Sequence, residues 1–498
     1  MITQEIVYSP NKYRETEGIK DSFSKNHTFP YSGIGLQDMN LFYHYPSVYW
    51  NCACLTINAG ADDSQEDNKS TQYGKCATAI GKMQGQGVVV ELPLINESNF
   101  GFKPNPETNT IIFGLKGLHG IGDAVAYSLI SNRPYKSMDD FYTRMIDTKE
   151  IKPAQMSKLI KAGCFTKLDN EDRNVTMRNF IERTVFSPNT SLTFANLKKI
   201  QEFDLIPEHL HLSIRIKDFN PYIFQDKFLV KEVIDETKKK VPKCGYHDRL
   251  FKLDSKAMSF FTEHFTEKSV VDVKGESYII SEKLFTKEWN VKLLTLKEWM
   301  CSTETLELFN NKVFQTHWDK LAKGTIPKWE MDSLSFYYTE HELKNMNEAL
   351  YGVSNYFELP EKPEAYEYYV RYINKERKEI PKNTITRLAG TVLDRDNNKH
   401  TITLLTLYGV VTVKFNKGQY AFYNKRISVG LDENSDKKTV LEESWFVKGS
   451  TIMVCGYREG DTFRAYRYKD TIYLHTVNRI LDLLDDGTVT VQTDRVKV

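Results

Sequence analysis

Leu118-His119-Gly120-Ile121-Gly122, followed by Ala126 and Leu129-Ile130, is the pattern in this sequence with the most specific chemistry. Two glycines two apart open a helix whose fourth residue past the second glycine is alanine, the spacing of a helix-hairpin-helix turn. Glycine lets the backbone come close to an anion. The first amides of a helix lack carbonyl partners and carry the positive end of its dipole. Such a turn holds phosphates without reading bases. The backbone contacts expected here are Gly120, Ile121, Gly122 and Ala124, with Lys116 just before the turn adding a charge. Asp123 suits a helix start better than it suits a phosphate.

Two further clusters carry chemistry. Phe23-Ser24-Lys25-Asn26-His27 precedes Tyr31 and Tyr43-His44-Tyr45-Pro46, and Lys25 with His27 beside an aromatic helix are residue types that meet a triphosphate. Toward the C-terminus, Lys414, Phe415, Tyr457, Phe463, Arg464, Tyr466 and Arg467 place rings and cations on alternating strands, the combination that stacks on single-stranded nucleic acid of any sequence. Alternation alone leaves open which of these rings fill a core instead. The acidic pairs Asp62-Asp63, Asp139-Asp140, Asp394 with Asp396, and Asp482 with Asp485-Asp486 fall in loops, helix starts and turns, and read as solvated or capping groups. No C-x-x-C pair exists among the seven cysteines, so a zinc ribbon and a disulfide framework are both unsupported.

The elements that position these residues follow from the pattern along the chain. Leu36 to Ala61 reads as two buried helices broken at Pro46, and GVVVELPLI as a strand interrupted at Pro93. Ser137 with Asp140 three residues on resembles a capping box, and helical patterns run on to about residue 186. Residues 365–382 are charged and read as a connector. After them the period changes to short alternating strands, about five of which make a small barrel of the OB type, with a further hairpin at Asp486-Gly487. The expected fold is multidomain α+β: a mainly α-helical N-terminal half with a helix-hairpin-helix module, and a C-terminal five-stranded OB-type β-barrel. The expected divisions are a helical segment at 1–90, the hairpin module at 91–190, a connector region with an unassigned insertion at 191–382, the barrel at 383–480 and a tail at 481–498.

Composition bounds the partners. Lys and Arg number 67 against 66 Asp and Glu, so bulk charge does not hold this chain on a polyanion and any such site is a local patch. No run of 18 apolar residues and no signal-peptide pattern occurs, which points to a cytoplasmic protein with no membrane partner.

In joint order, these segments resemble family C, the bacterial DNA polymerase III alpha subunit. FSKNHTFPYSGIGLQDMNLFYHYPSVYW resembles its fingers segment and IIFGLKGLHGIGDAVAYSLISNR its helix-hairpin-helix, while WEMDSLSFYYTEHEL resembles the segment that precedes its OB domain. Asn26, Phe29-Pro30 and Glu342 depart from the family pattern, and residues 215–325 match no part of it. The resemblance implies that Lys25 and His27 face the incoming nucleotide and primer-template, that the hairpin grips duplex DNA, and that the barrel touches single-stranded template. It also implies a sliding-clamp peptide between hairpin and barrel, for which Gln201, Asp204, Leu205 and Ile206 are the candidates. The family's palm precedes its fingers, whereas Phe23 here lies close to Met1. The expectation is therefore a DNA-handling part without catalytic or metal-binding residues of its own, acting with a palm-bearing polymerase chain that holds the magnesium. The alternative is a non-catalytic accessory protein that binds DNA or a clamp. A split of this kind suggests a phage.

Overall fold

The structure is a computed structural model that describes residues 46–61, 70–223, 226–228, 232–234, 240–242, 250–253, 255–275, 277–373, 376–430, 438–466 and 476–496. Lys25, His27, Arg467 and the Asp62-Asp63 pair lie outside these residues. The chain divides into two compact units, one drawn from Met1–Phe180 with Leu321–Val498 and the other from Ile181–Lys320.

The first unit begins with α1 (Ser47–Ala59), which Pro46 starts and left-handed Gly60 ends. Next comes α2 (Tyr73–Gln84). Three short strands follow: β1 (Val89–Glu91), β2 (Lys103–Asn105) and β3 (Thr110–Ile112), with β3 central, parallel to β1 and antiparallel to β2. A single 3-10 turn, Leu115–Gly117, leads into the glycine turn and α3 (Asp123–Ser131). The short helix Met138–Phe141 is capped by Ser137, whose hydroxyl accepts the Asp140 amide, while the Asp140 carboxylate accepts the Lys136 amide. α4 (Pro153–Lys161) starts on proline, and the Gln155 side chain accepts the Lys152 amide.

The second unit has its own core. α5 (Leu197–Glu202), α6 (His211–Ile223), α7 (Ser255–His264), α8 (Glu282–Lys292) and α9 (Thr303–Leu321) accompany a four-stranded antiparallel sheet. Its strands are β4 (Asp226–Phe228), β5 (Leu250–Lys252), β6 (Val270–Lys274) and β7 (Ser277–Ser281), in the order β4-β5-β7-β6. Phe251, Phe261, Phe285, Leu296 and Phe309 pack together inside it. The described residues of 215–325, the stretch that matched no family segment, thus belong largely to an α+β body with its own core.

Returning to the first unit, α10 (Ile326–Leu334) ends at Ser335, which takes a left-handed conformation (φ 69°). Residues 365–383 are not a structureless connector. They form an antiparallel ribbon of β8 (Ala365–Ile373) and β9 (Glu376–Asn383). The barrel follows with β10 (Thr386–Asp396), β11 (Thr401–Thr406), β12 (Gly409–Lys414), α11 (Lys417–Asn424), β13 (Thr451–Glu459) and β14 (Thr462–Ala465). These five strands close in the order β10-β11-β12-β14-β13-β10, with β12 and β14 parallel and a helix between the third and fourth strands. That is the OB arrangement. HTITLLTLYGVVTVKF, continuous in its alternation, is two strands joined at Leu407-Tyr408. Outside the closed barrel, β15 (Val477–Leu483) adds to β13 and pairs with β16 (Val489–Gln492) through the turn at Gly487.

α2 lies directly on the barrel. Ala77 packs with Leu393, Leu405, Met331 and Tyr337, and a side chain on Gly81 would collide with Val410. The buried Glu330 carboxylate accepts Arg173 Nη1 at 2.8 Å and the Tyr338 and Thr339 amides at 2.8 and 3.0 Å. Hairpin module and barrel therefore form one packed body.

Candidate nucleic-acid interface

The glycine turn faces solvent. Gly120, Gly122 and Ala124 are exposed while Ile121 (3 % exposed), Ala126 and Leu129 anchor it in the core. Gly120 has φ 84°, a conformation that glycine adopts without strain, and a side chain on Gly122 would meet nothing within 4 Å. Asp123, Ala124 and Val125 open α3, so their amides have no carbonyl of that helix to bond. The turn is held from three sides. The His119 amide donates to the Ser333 carbonyl at 2.9 Å, the Tyr73 hydroxyl donates to the Leu118 carbonyl at 3.5 Å, and the Ala126 amide donates back to the Gly122 carbonyl at 3.0 Å.

Lys116 requires a correction. It is buried (7 % exposed) and bound to the Asp123 carboxylate, so it neutralises the acid at the helix start rather than reaching a phosphate. The charges beside the turn come instead from residues that the sequence pattern did not single out. Lys158 on α4 lies against it, with Cγ 3.9 Å from where a side chain on Gly120 would begin. The Lys448 ammonium, on the loop before β13, donates to the Ser335 hydroxyl and sits 5.1 Å from the Tyr73 ring centroid. Tyr73 in turn packs on His119, with ring centroids 4.7 Å apart. Burial pulls the Lys448 pKa down to about 8, with Lys158 pushing it the same way and Asp332 opposing. Burial also lowers Lys161, which stands 5.8 Å from the Trp329 ring centroid. His119 is held below its ordinary value by partial burial and then by Lys448 and Lys158. Lys158 and Lys448 both act on His119 against the single carboxylate of Asp332, and Lys116 takes up the Asp123 charge, so the rim of the turn is locally positive. Only the fold assembles it, because Lys158 and Lys448 belong to distant stretches of chain.

The barrel separates the second set of candidates. Phe415 (4 % exposed) and Phe463 (0 %) are core residues, with Phe415 4.9 Å from the Phe446 ring. Their assignment as base contacts is corrected: the inward side of β14, and the turn out of β12, place them in the barrel filling. Lys414 and Arg464 face outward as register partners across β12 and β14, and Tyr457 lies opposite Arg464 on β13. The Tyr466 ring is 6.0 Å from that of Tyr457, and Arg464 pairs with Glu459 at 2.9 Å. These four side chains form one aromatic and basic patch.

The clamp peptide is not presented as such. Gln201 and Asp204 are exposed, but Leu205 and Ile206 are half-buried against the second unit's own core, and the Leu205 amide donates to the Ile200 carbonyl. The apolar pair that a clamp pocket would take is already used. Tyr49 and Trp50 are half-buried on α1.

The remaining candidates serve local structure. The Asp140, Asp396 and Asp486 carboxylates are held below the usual carboxylate range, first by the Lys136 and Lys399 amides and the Thr488 hydroxyl respectively. Among the described residues no group of three or more His, Cys, Asp or Glu is placed to hold a metal ion, and no helix is long and apolar enough to cross a membrane.

A solvent-facing glycine turn packed beside an OB-type barrel marks a helix-hairpin-helix module, and a family model described as "Helix-hairpin-helix motif" matches residues 87–175. Over 96% of its length the chain is 42% identical to "Probable DNA polymerase YorL" of Bacillus subtilis (strain 168), and equally to "DNA-directed DNA polymerase" of Bacillus phage SPbeta. It spans 35% of each of those proteins. A stretch of 143 residues is 26% identical to the "DNA polymerase III subunit alpha" of Streptococcus pyogenes, covering 29% of this chain and 12% of that protein. Along nearly all its length the chain is thus similar to a part of these larger DNA polymerases.

Proposed function

We propose that this chain is the DNA-handling part of a family C replicative DNA polymerase. In this reading the hairpin turn grips the duplex product through backbone amides, Lys158 and Lys448, and the barrel patch of Lys414, Tyr457, Arg464 and Tyr466 meets unpaired template. Lys25 and His27 face the incoming nucleotide. The magnesium ions and the aspartates that hold them belong to a palm on a partner chain. The observation that carries the reading is the exposed Gly120–Ala124 turn bordered by lysines from two other parts of the fold.

Binding of primer-template duplex, followed by fluorescence anisotropy across a salt series, tests it. Affinity should fall steeply with salt as phosphate contacts release counterions. Gly122→Val fits the backbone (φ −82°) and has open space around it, so it should fold normally while keeping a phosphate away from the turn. Combined with Lys158→Glu it should weaken duplex binding at least about tenfold, the loss of one to two charge-assisted contacts. Unchanged affinity at low salt overturns the hairpin assignment. For the partner, the chain alone should leave primers unextended and should support extension when mixed with a palm-bearing chain. Extension by the purified chain alone would refute the division of labour.

A further inference from the structure

The β8–β9 ribbon carries a surface that the barrel and hairpin do not account for. Tyr366, Tyr368 and Tyr372 are 70 %, 63 % and 72 % exposed. In the ribbon's register Tyr368 lies opposite Pro381, Val370 opposite Glu379 and Tyr372 opposite Arg377, so these pairs share one face, with Tyr366 in the bulge at its base. The other face carries the Glu367–Lys382 ion pair. A two-stranded ribbon has no core of its own, and rings this exposed add little to folding. Strand propensity would be met as well by threonine or valine.

Three properties point to what covers these rings. Across residues 365–383 there are five Lys or Arg against three Glu, an excess of positive charge around four tyrosines. Residues two apart on a strand are separated by about 6.6 Å, close to twice the roughly 3.4 Å step of a nucleic-acid strand. Tyr368 and Tyr372, with Val370 between them, thus stand about 13 Å apart, close to four such steps. The ribbon also runs into the barrel patch without a break, because the side chain of Asn383 at the end of β9 hydrogen-bonds Tyr457, the ring beside Tyr466 and opposite Arg464.

We propose that the β8–β9 ribbon is a stacking platform for single-stranded DNA, extending the barrel patch into one longer track. The inference rests on the DNA-handling reading above, and its test separates the two. The full chain is titrated with fluorescent oligothymidylates of increasing length at low salt. Three variants are compared with it: Tyr368→Thr with Tyr372→Thr, which keeps strand propensity but removes the rings; Tyr368→Phe with Tyr372→Phe, which keeps the rings; and Arg464→Ala with Tyr466→Ala in the barrel patch.

The threonine pair should lose at least about tenfold in affinity for long oligomers, much less for the shortest ones, and nothing for duplex. The phenylalanine pair should bind as the parent does. Wild-type affinity in the threonine pair, with loss in the barrel variant, overturns the platform and leaves the DNA-handling reading standing. Loss in the phenylalanine pair also overturns it, because stacking would not be the interaction. Unchanged binding in both the ribbon and barrel variants, or no binding by the parent chain, overturns both.

Discussion

The hairpin turn and the barrel patch offer positive charge to a polyanion in two different ways. At the turn the Lys448 cation is held in place, tied to the Ser335 hydroxyl and seated over the Tyr73 ring. On the barrel the cations stand in water, Lys414 free to swing and Arg464 in a surface pair with Glu459. Held cations are less screened and titrate at shifted pH, while solvated ones are screened by salt and adapt to their ligand. The first arrangement suits the repeating geometry of a duplex backbone, and the second suits a strand without fixed shape.

The comparison breaks most sharply between neighbours on β14. Phe463→Ala should destabilise the barrel by about 3–5 kcal/mol, since it empties a fully buried ring site. Arg464→Ala, one residue on, should change stability by less than about 0.5 kcal/mol yet weaken oligothymidylate binding. Denaturant unfolding beside a binding titration checks both. Comparable thermal losses in the two variants would mean that the patch is structural.

The barrel's lower end supplies an effect of similar size. Arg495 Nε and Trp445 Nε1 donate to the buried Glu442 carboxylate at 2.6 and 2.7 Å, and Arg495 also donates to the Phe422 and Tyr423 carbonyls. Glu442→Gln leaves the Arg495 charge uncompensated and should cost about 3–5 kcal/mol. Duplex binding at the hairpin, measured well below the unfolding temperature, should be unaffected.

A smaller effect is expected from acid. The His341 ring bonds the Leu405 carbonyl through Nε2 and accepts the Leu343 amide at Nδ1, and burial drives its pKa down to about 4. The unfolded chain takes up this proton near 6.5. Stability is therefore complete above that pH and declines as pH falls toward 4, by about 2–3 kcal/mol at most. Unfolding curves at pH 7 and pH 5, repeated on His341→Gln, isolate the contribution.

The smallest effect sharpens the comparison itself. Lys448 gives up its proton near pH 8 when folded and only near 10.5 when unfolded, so stability rises with pH across that window. Its attraction for phosphate falls over the same range. Duplex affinity should drop a few-fold between pH 7 and 9, and Lys448→Arg, charged throughout, should flatten the profile. Oligothymidylate binding at the barrel patch should show no such slope.

The hairpin was legible because its signal is local. Glycine spacing, Ala126 and the apolar positions of α3 lie within one short stretch, and each has a backbone reason to be there. The barrel strands were legible as strands, but two errors mark the limit. Lys116 sat where a phosphate contact belongs until Asp123 was found bound to it, and Phe415 and Phe463 had the right residue types on what proved to be the core side. The ribbon's charges disguised it as a connector, because both of its faces are solvated and neither carries the buried apolar set of a packed strand.

Sequence by itself determined the elements whose conformation depends on near neighbours: the glycine turn, the capped helix at Ser137, the alternating strands and the hairpin at Gly487. Tertiary structure alone decided which cations stand beside the turn, which rings leave the barrel core, and that Leu205 and Ile206 are already spoken for. The reason is one of range. Backbone preference and periodicity act over a few residues, whereas burial and electrostatic neighbourhood are set by segments hundreds of residues apart that meet only when the chain has folded.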